Sequence, residues 1–209
     1  MSCCPPHGCD ELFGERFARR SLRKYRTKGL DDTSAWLRDF LSARGGESAL
    51  EVGGGIGALV TELVRGGVPR GRLVEVVPAY EPVARELFAE TGVDVDFSLA
   101  DLTDEPEAVD PADLVVLNRV VCCTPDGPEL VAAAAGRTRS ALALSFPRER
   151  PAIRAAVRVQ NIAFRLIRRR FRVFVHPRAK LFDAATSRGL RLVDQHDGTV
   201  WATAGFERA

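Results

Sequence analysis

The pattern of apolar residues changes character once along the chain, near Gly46. Before that point apolar positions recur at roughly helical intervals. Leu12, Phe13, Phe17 and Leu22 stand among arginines and lysines from Glu11 to Tyr25, which predicts a basic amphipathic helix. Asp32-Thr33-Ser34 then offers side-chain oxygens to cap a second helix, which carries Trp36, Leu37, Phe40 and Leu41 and ends at Gly45-Gly46. Beyond Gly46, short apolar runs alternate with helical stretches. The runs predict strands over Ala49–Val52, Arg72–Val77, Val93–Phe97, Asp113–Leu117 and Ala141–Phe146. Helices are expected over Ile56–Val64, Pro82–Glu90 and around Leu130–Ala135. This alternation predicts an α/β fold, a doubly wound and mostly parallel sheet with helices on both faces. Ligands of such sheets sit at the carboxyl ends of the strands.

Two later segments depart from the alternation. From Pro147 to Arg172 the chain carries Arg148, Arg150, Arg154, Arg158, Arg165, Arg168, Arg169 and Arg170. Ile153, Val157, Gln160, Phe164, Ile167 and Phe171 recur three or four apart, so one long amphipathic helix is expected over Pro151–Phe171, its arginines largely opposite the apolar face. After it, Arg191–Gln195 and Val200–Phe206 flank the turn-like Asp197-Gly198. They predict a hairpin that adds an antiparallel edge and brings the sheet to seven strands.

Composition narrows the classes. A chain of 209 residues, 45% hydrophobic, is suited to one core. Lys and Arg number 30 against 28 Asp and Glu, a net charge of +2, so no global field argues for nucleic acid. No apolar run approaches the roughly 20 residues of a membrane-spanning helix. The opening Met1-Ser2-Cys3-Cys4-Pro5-Pro6-His7 has neither a basic nor an apolar leader region, which makes the cytoplasm the expected location. The five cysteines, Cys3, Cys4, Cys9, Cys122 and Cys123, form no disulfide framework and are expected reduced.

The densest chemistry lies at Glu51-Val52-Gly53-Gly54-Gly55-Ile56-Gly57, between a predicted strand and a predicted helix. Glycines there let the backbone approach a ligand closely, as a nucleotide site requires. Gly53, Gly55 and Ala58 also satisfy G-x-G-x-x-G/A, so spacing alone leaves NAD open. Glu51 sets a carboxylate just before the loop, where it would oppose a pyrophosphate but can favour a cationic sulfonium or ammonium group. Glu75, at a strand end about twenty residues further, is placed to bind a ribose for either nucleotide.

The loop sequence resembles the first motif of class I S-adenosylmethionine-dependent methyltransferases of the small-molecule type. The likeness continues through Glu75, Asp101 and Asp113-Leu114-Val115-Val116-Leu117-Asn118, covers about Ala49–Phe146, and extends to the terminal hairpin. It implies S-adenosyl-L-methionine as cofactor. By the resemblance Glu51, Gly53, Gly55 and Gly57 face its amino-acid part and Glu75 takes both ribose hydroxyls. Asp101 and Leu102 border the adenine, and Asn118 and Arg119 lie near the methyl group. It also divides the single domain into an N-terminal segment with cap helices (1–46), a cofactor-binding core (47–146), a basic helical insertion (147–180), and the end of a C-terminal helix with the hairpin (181–209).

In similar enzymes the segment after the fourth strand carries a pair of His or Tyr residues and then an Asp. Here Cys122-Cys123 stands at the pair and Asp126 at the acid. No N-P-P-Tyr type loop is present, so the resemblance implies a small-molecule acceptor, acidic if the arginines meet it. The cysteines read as small apolar packing residues, as pocket lining together with Tyr25, or as soft ligands with Cys3, Cys4, His7 and Cys9 for a metal or metalloid. The last reading would make the chain a metalloid- or thiol-directed methyltransferase. His176 and Asp126 are the candidate bases for a hydroxyl acceptor. Two other classes stay open. An NAD-binding oxidoreductase would need a Tyr-Lys relay or similar site, and neither Tyr25 nor Tyr80 is followed by a Lys four residues on. A non-enzymatic RNA-binding module would use the arginine-rich helix, which otherwise reads as a solvated face or a membrane-surface contact.

Overall fold

The computed structural model describes residues 6–209, with side chains from Gly8 onward. Its strands are β1 (Ser48–Val52), β2 (Arg70–Glu75), β3 (Val95–Leu99), β4 (Ala112–Leu117), β5 (Thr138–Pro147), β6 (Leu190–Asp197) and β7 (Trp201–Arg208). They form one sheet in the order β3-β2-β1-β4-β5-β7-β6. The first five strands pair in parallel, and β7 runs antiparallel to both β5 and β6. The order reverses between β1 and β4, which opens a crevice at their carboxyl ends.

Alternation along each central strand sends side chains into two cores. Ala49, Leu73, Leu114, Val116, Ala141 and Ala143 face one layer, while Leu50, Val74, Val115, Leu142, Leu144 and Phe206 face the other. Helices α1 (Glu15–Lys28), α2 (Asp32–Ser42), α3 (Ala58–Arg65) and α4 (Glu81–Thr91) pack on the first layer. Helices α5 (Gly127–Gly136) and α7 (Arg178–Thr186) pack on the second. Helix α6 (Pro151–Leu166) has no buried residue.

Three expected helix boundaries move. α1 starts at Glu15, not Glu11, because Pro6–Glu11 forms a short 3-10 helix and Phe13 leaves the helical register to pack edge-on against Phe171, 5.2 Å between ring centres. α2 is capped one residue earlier than expected, by Asp31, whose carboxylate accepts from the Ser34 N–H at 3.1 Å. α6 stops at Leu166 rather than Phe171. Arg168 takes φ +58 there, and the chain turns back so that Phe171 is fully buried. α7 is a separate helix of nine residues; only Leu181 and Ala185, one turn apart, are buried on it, too short a stripe to read in advance.

One glycine shows how closely a helix meets the sheet. Gly205 in β7 lies between Ala143 and Asp194 and faces Phe40 of α2, whose ring occupies the place a β-carbon would take. That ring is stacked on Trp36 and covered by the Arg44 guanidinium at 3.5 Å, so it has little room to yield. Gly205→Ala is expected to lower unfolding free energy by about 1–3 kcal/mol through overpacking. A urea midpoint equal to that of the parent protein would contradict this packing.

Candidate active site

The carboxyl ends of β1, β2 and β4 and the turn after β3 surround a cavity of about 420 Å³. Gly53 and Gly55 form its floor at φ +64 and +63, a backbone region that L side chains rarely adopt. A β-carbon on Gly53 would run into Val120, and one on Gly55 would come within 3.0 Å of the Tyr80 ring. The loop is therefore a close-approach surface that only glycine can build in this shape.

Glu75 closes one side of the floor. Its carboxylate accepts from Gly55 N–H at 2.9 Å, Val76 N–H at 2.9 Å and Val77 N–H at 3.1 Å. Burial raises its pKa and outweighs these three bonds, which act the other way. A carboxylate offers about four lone-pair sites, so one acceptor position remains for a ligand hydroxyl. Asp101 and Leu102 stand beyond β3 in the same wall, and Asp101 also fixes its own turn by accepting from Thr103 N–H at 2.9 Å.

Arg119 and Cys123 line the opposite side. Arg119 is held at φ +57, an unusual backbone for a side-chain residue. Its N–H donates to Ser145 Oγ at 2.8 Å, and its guanidinium reaches Asp31 at 2.9 Å and lies 5.0 Å from the Trp201 ring centre. Burial pushes the Asp31 carboxyl up, but the Ser34 N–H and Arg119 outweigh it and hold the pKa low. The ion pair thus stays charged and pins Arg119 at the wall.

Several expected site residues lie elsewhere. Glu51 does not face the cavity: it is buried beneath the loop and accepts from Val60 N–H of α3 at 2.9 Å. Gly57 packs toward Leu73 and Phe88 on that same side of the sheet. Asn118 bridges Ser34 and Ser145 at 2.9 Å each, which braces the end of β4 instead of lining the cavity. Tyr25 donates to Glu62 on α3. His176 lies behind the wall, its Nε2 3.0 Å from the Thr124 carbonyl and its ring filling the space next to Gly127. Of the two candidate bases only Asp126 lines the cavity.

Burial pushes the Glu51 pKa up to about 8, with the Val60 N–H opposing and the Glu75 charge adding to the rise. An acid with a raised folded pKa holds its proton more tightly when folded. Its stabilising effect is whole below the unfolded value near 4.5 and is lost as pH rises through about 8. Stability should therefore fall across that window, by at most about 1.4 kcal/mol per pH unit from this residue. Glu51→Gln should flatten the fall, as read by denaturant titrations at several pH values; an unchanged slope would place the charge elsewhere.

Tyr80, Phe13 and Cys9 complete the wall and were not expected in a pocket. Tyr80 follows the end of β2 by five residues, which is the signal that could have placed it above the carboxyl ends. Burial pushes the Cys9 thiol up to about 12. Cys122 Sγ and Cys123 Sγ lie 4.0 Å apart. Its bond to Cys122 and burial push the Cys123 thiol well up and keep it protonated, while accepting that bond lowers the Cys122 pKa against burial. Cys122 itself is buried behind the wall. The two thiols that line the cavity are therefore neutral, apolar lining. Among the described residues no group of three or more His, Cys, Asp or Glu could hold a metal ion. Cys3 and Cys4 and the side chain of His7, the rest of the expected soft-ligand set, lie outside the described residues and side chains.

This sheet order, with an antiparallel β7 between β5 and β6 and a glycine loop after β1, is the Rossmann-like fold of class I methyltransferases. Solved structures share it across nearly the whole chain. Magnesium protoporphyrin IX methyltransferase from Synechocystis PCC 6803, crystallised with S-adenosylhomocysteine, matches at TM-score 0.67 and 17% identity, over 92% of this chain and 87% of that one. An O-methyltransferase family 2 protein from Planctomyces limnophilus, in complex with apigenin, matches at 0.70 and 18% identity, over 95% of this chain and 63% of its own. The cyclase SpnF matches at 0.68 and 11% identity, over 100% and 99%. No family model matches the chain, and no curated protein matches it significantly.

Proposed function

We propose that this chain transfers a methyl group from S-adenosyl-L-methionine to a small-molecule acceptor. The observation that carries the choice of donor is the antiparallel β7 lodged between β5 and β6. A dinucleotide-binding sheet has the order 3-2-1-4-5-6 with no such insertion. The cavity fits the donor in its own residues, because Gly53 and Gly55 leave a cradle that β-carbons would fill and acids stand at the two neighbouring strand ends. In this reading the glycine loop takes the amino-acid part, the remaining acceptor position of Glu75 takes a ribose hydroxyl, and Asp101 with Leu102 the adenine edge.

When bound, S-adenosyl-L-methionine supplies a methyl group already activated on sulfonium sulfur. The residues then have to orient the acceptor and keep water out. Phe13, Cys9 and Tyr80 roof the cavity with apolar surface, which serves the exclusion of water. Arg119 is positioned to orient an acidic acceptor, although Asp31 already shares its charge. Asp126 precedes α5 without capping it, which leaves its carboxylate available for a hydroxyl proton. A thiol acceptor would need less help.

Incubating the protein with methyl-labelled donor and a panel of small acids, phenols, thiols and amines tests the proposal. Label transfer to at least one acceptor, lost on Gly55→Arg, is expected. Donor retained by the protein with no label transferred to any acceptor would overturn the proposal.

A further inference from the structure

We propose that the outer face of α6 docks on the surface of an anionic lipid bilayer. The helix has two apolar faces. The inner one carries Ile153, Val157 and Phe164 against the body, and Asn161 fastens it there by hydrogen bonds of 2.7 and 2.9 Å to the backbone of Val173. On the outer one Ala152, Ala155, Val159, Ile162 and Leu166 follow in steps of three and four, and all are exposed. Val159 is 67% and Leu166 79% exposed, where a helix on the surface of a globular protein carries polar residues. An apolar stripe of this kind marks an interaction surface.

Charge selects the partner. At about 100° per residue, Arg154, Arg158 and Arg165 fall along one edge of the stripe. The stretch from Arg150 to Arg172 contains no acid at all. Arg154 is paired with Glu149, but Arg158, Arg165 and Arg168 pair with no acid among the described residues. Hydrocarbon beside unanswered guanidinium is the surface of a helix lying in a membrane interface. A second copy meeting this face would bring arginine edges to a helix that has no carboxylate to offer. RNA would satisfy the arginines and leave the hydrocarbon stripe uncovered.

The inner face of the same helix connects to the cavity roof. The Phe164 ring meets Phe171 at 5.9 Å, Phe171 meets Phe13 at 5.2 Å, and Phe13 lines the cavity. The docking stands independently of the methyl-transfer reading, since it uses none of the cavity's chemistry.

Sedimentation of the whole protein with vesicles of phosphatidylcholine, with and without phosphatidylglycerol, tests it. Binding to the phosphatidylglycerol vesicles is expected, weakened by salt. Val159→Asp with Leu166→Asp should lower the partition coefficient about tenfold or more, and Arg158→Ala with Arg165→Ala should lower it about tenfold. Both apolar positions are exposed, so melting by circular dichroism should stay unchanged. The proposal is overturned if phosphatidylglycerol vesicles sediment no protein, or if binding survives the two aspartates and so reflects a plain polyanion contact. It is equally overturned if light scattering finds a dimer that the aspartates dissociate.

Discussion

Replacing Gly55 by arginine should abolish donor binding, lowering affinity by about 100-fold or more. The position is held at φ +63, where a side-chain residue costs about 1–2 kcal/mol, and a β-carbon there already stands 3.0 Å from Tyr80. The rest of the arginine has only the cavity to enter. Calorimetry with S-adenosylhomocysteine measures the loss, and a far-ultraviolet circular dichroism spectrum confirms that the sheet persists. Undiminished affinity in a folded Gly55→Arg protein would mean that the ligand does not lie on this loop.

Glu75→Ala is expected to weaken donor binding by about ten- to a hundred-fold. A hydrogen bond to a charged group is typically worth about 1.5–3 kcal/mol, and the carboxylate is proposed to serve the ribose. The same change leaves the N–H groups of Gly55, Val76 and Val77 without their acceptor, so the melting temperature should fall as well. Glu75→Gln separates the two effects, because it keeps a neutral acceptor for part of the backbone while losing the charge. Binding as tight in both variants as in the parent protein would remove Glu75 from the donor site.

The fold was legible because its central strands are short runs buried on both faces, and such runs read as strands without help from tertiary contacts. The glycine loop was legible for a related reason: positive φ at Gly53 and Gly55 demands glycine, so geometry is written directly into residue type. Side-chain direction was harder. Glu51 drew attention as a carboxylate beside the loop, yet alternation along β1 places it opposite Val52, and Val52 is the residue that lines the cavity. The period of two carried that information. Tyr25 and Tyr80 show a different limit. Tyr25 lies on α1 and reaches Glu62, whereas Tyr80 reaches the cavity from a short turn after β2, and which tyrosine meets the pocket depends on how α1 crosses the sheet. The end of α6 had no Gly or Pro to announce it; burial of Phe171 against Phe13 and Phe164 sets the turn, a contact between segments far apart in sequence.

Isothermal titration of the protein with S-adenosylhomocysteine and, separately, with NAD decides which nucleotide the glycine loop holds. One saturable site for S-adenosylhomocysteine, absent in Gly55→Arg, and no heat from NAD are expected. Saturable NAD binding with no response to S-adenosylhomocysteine would contradict the choice of donor.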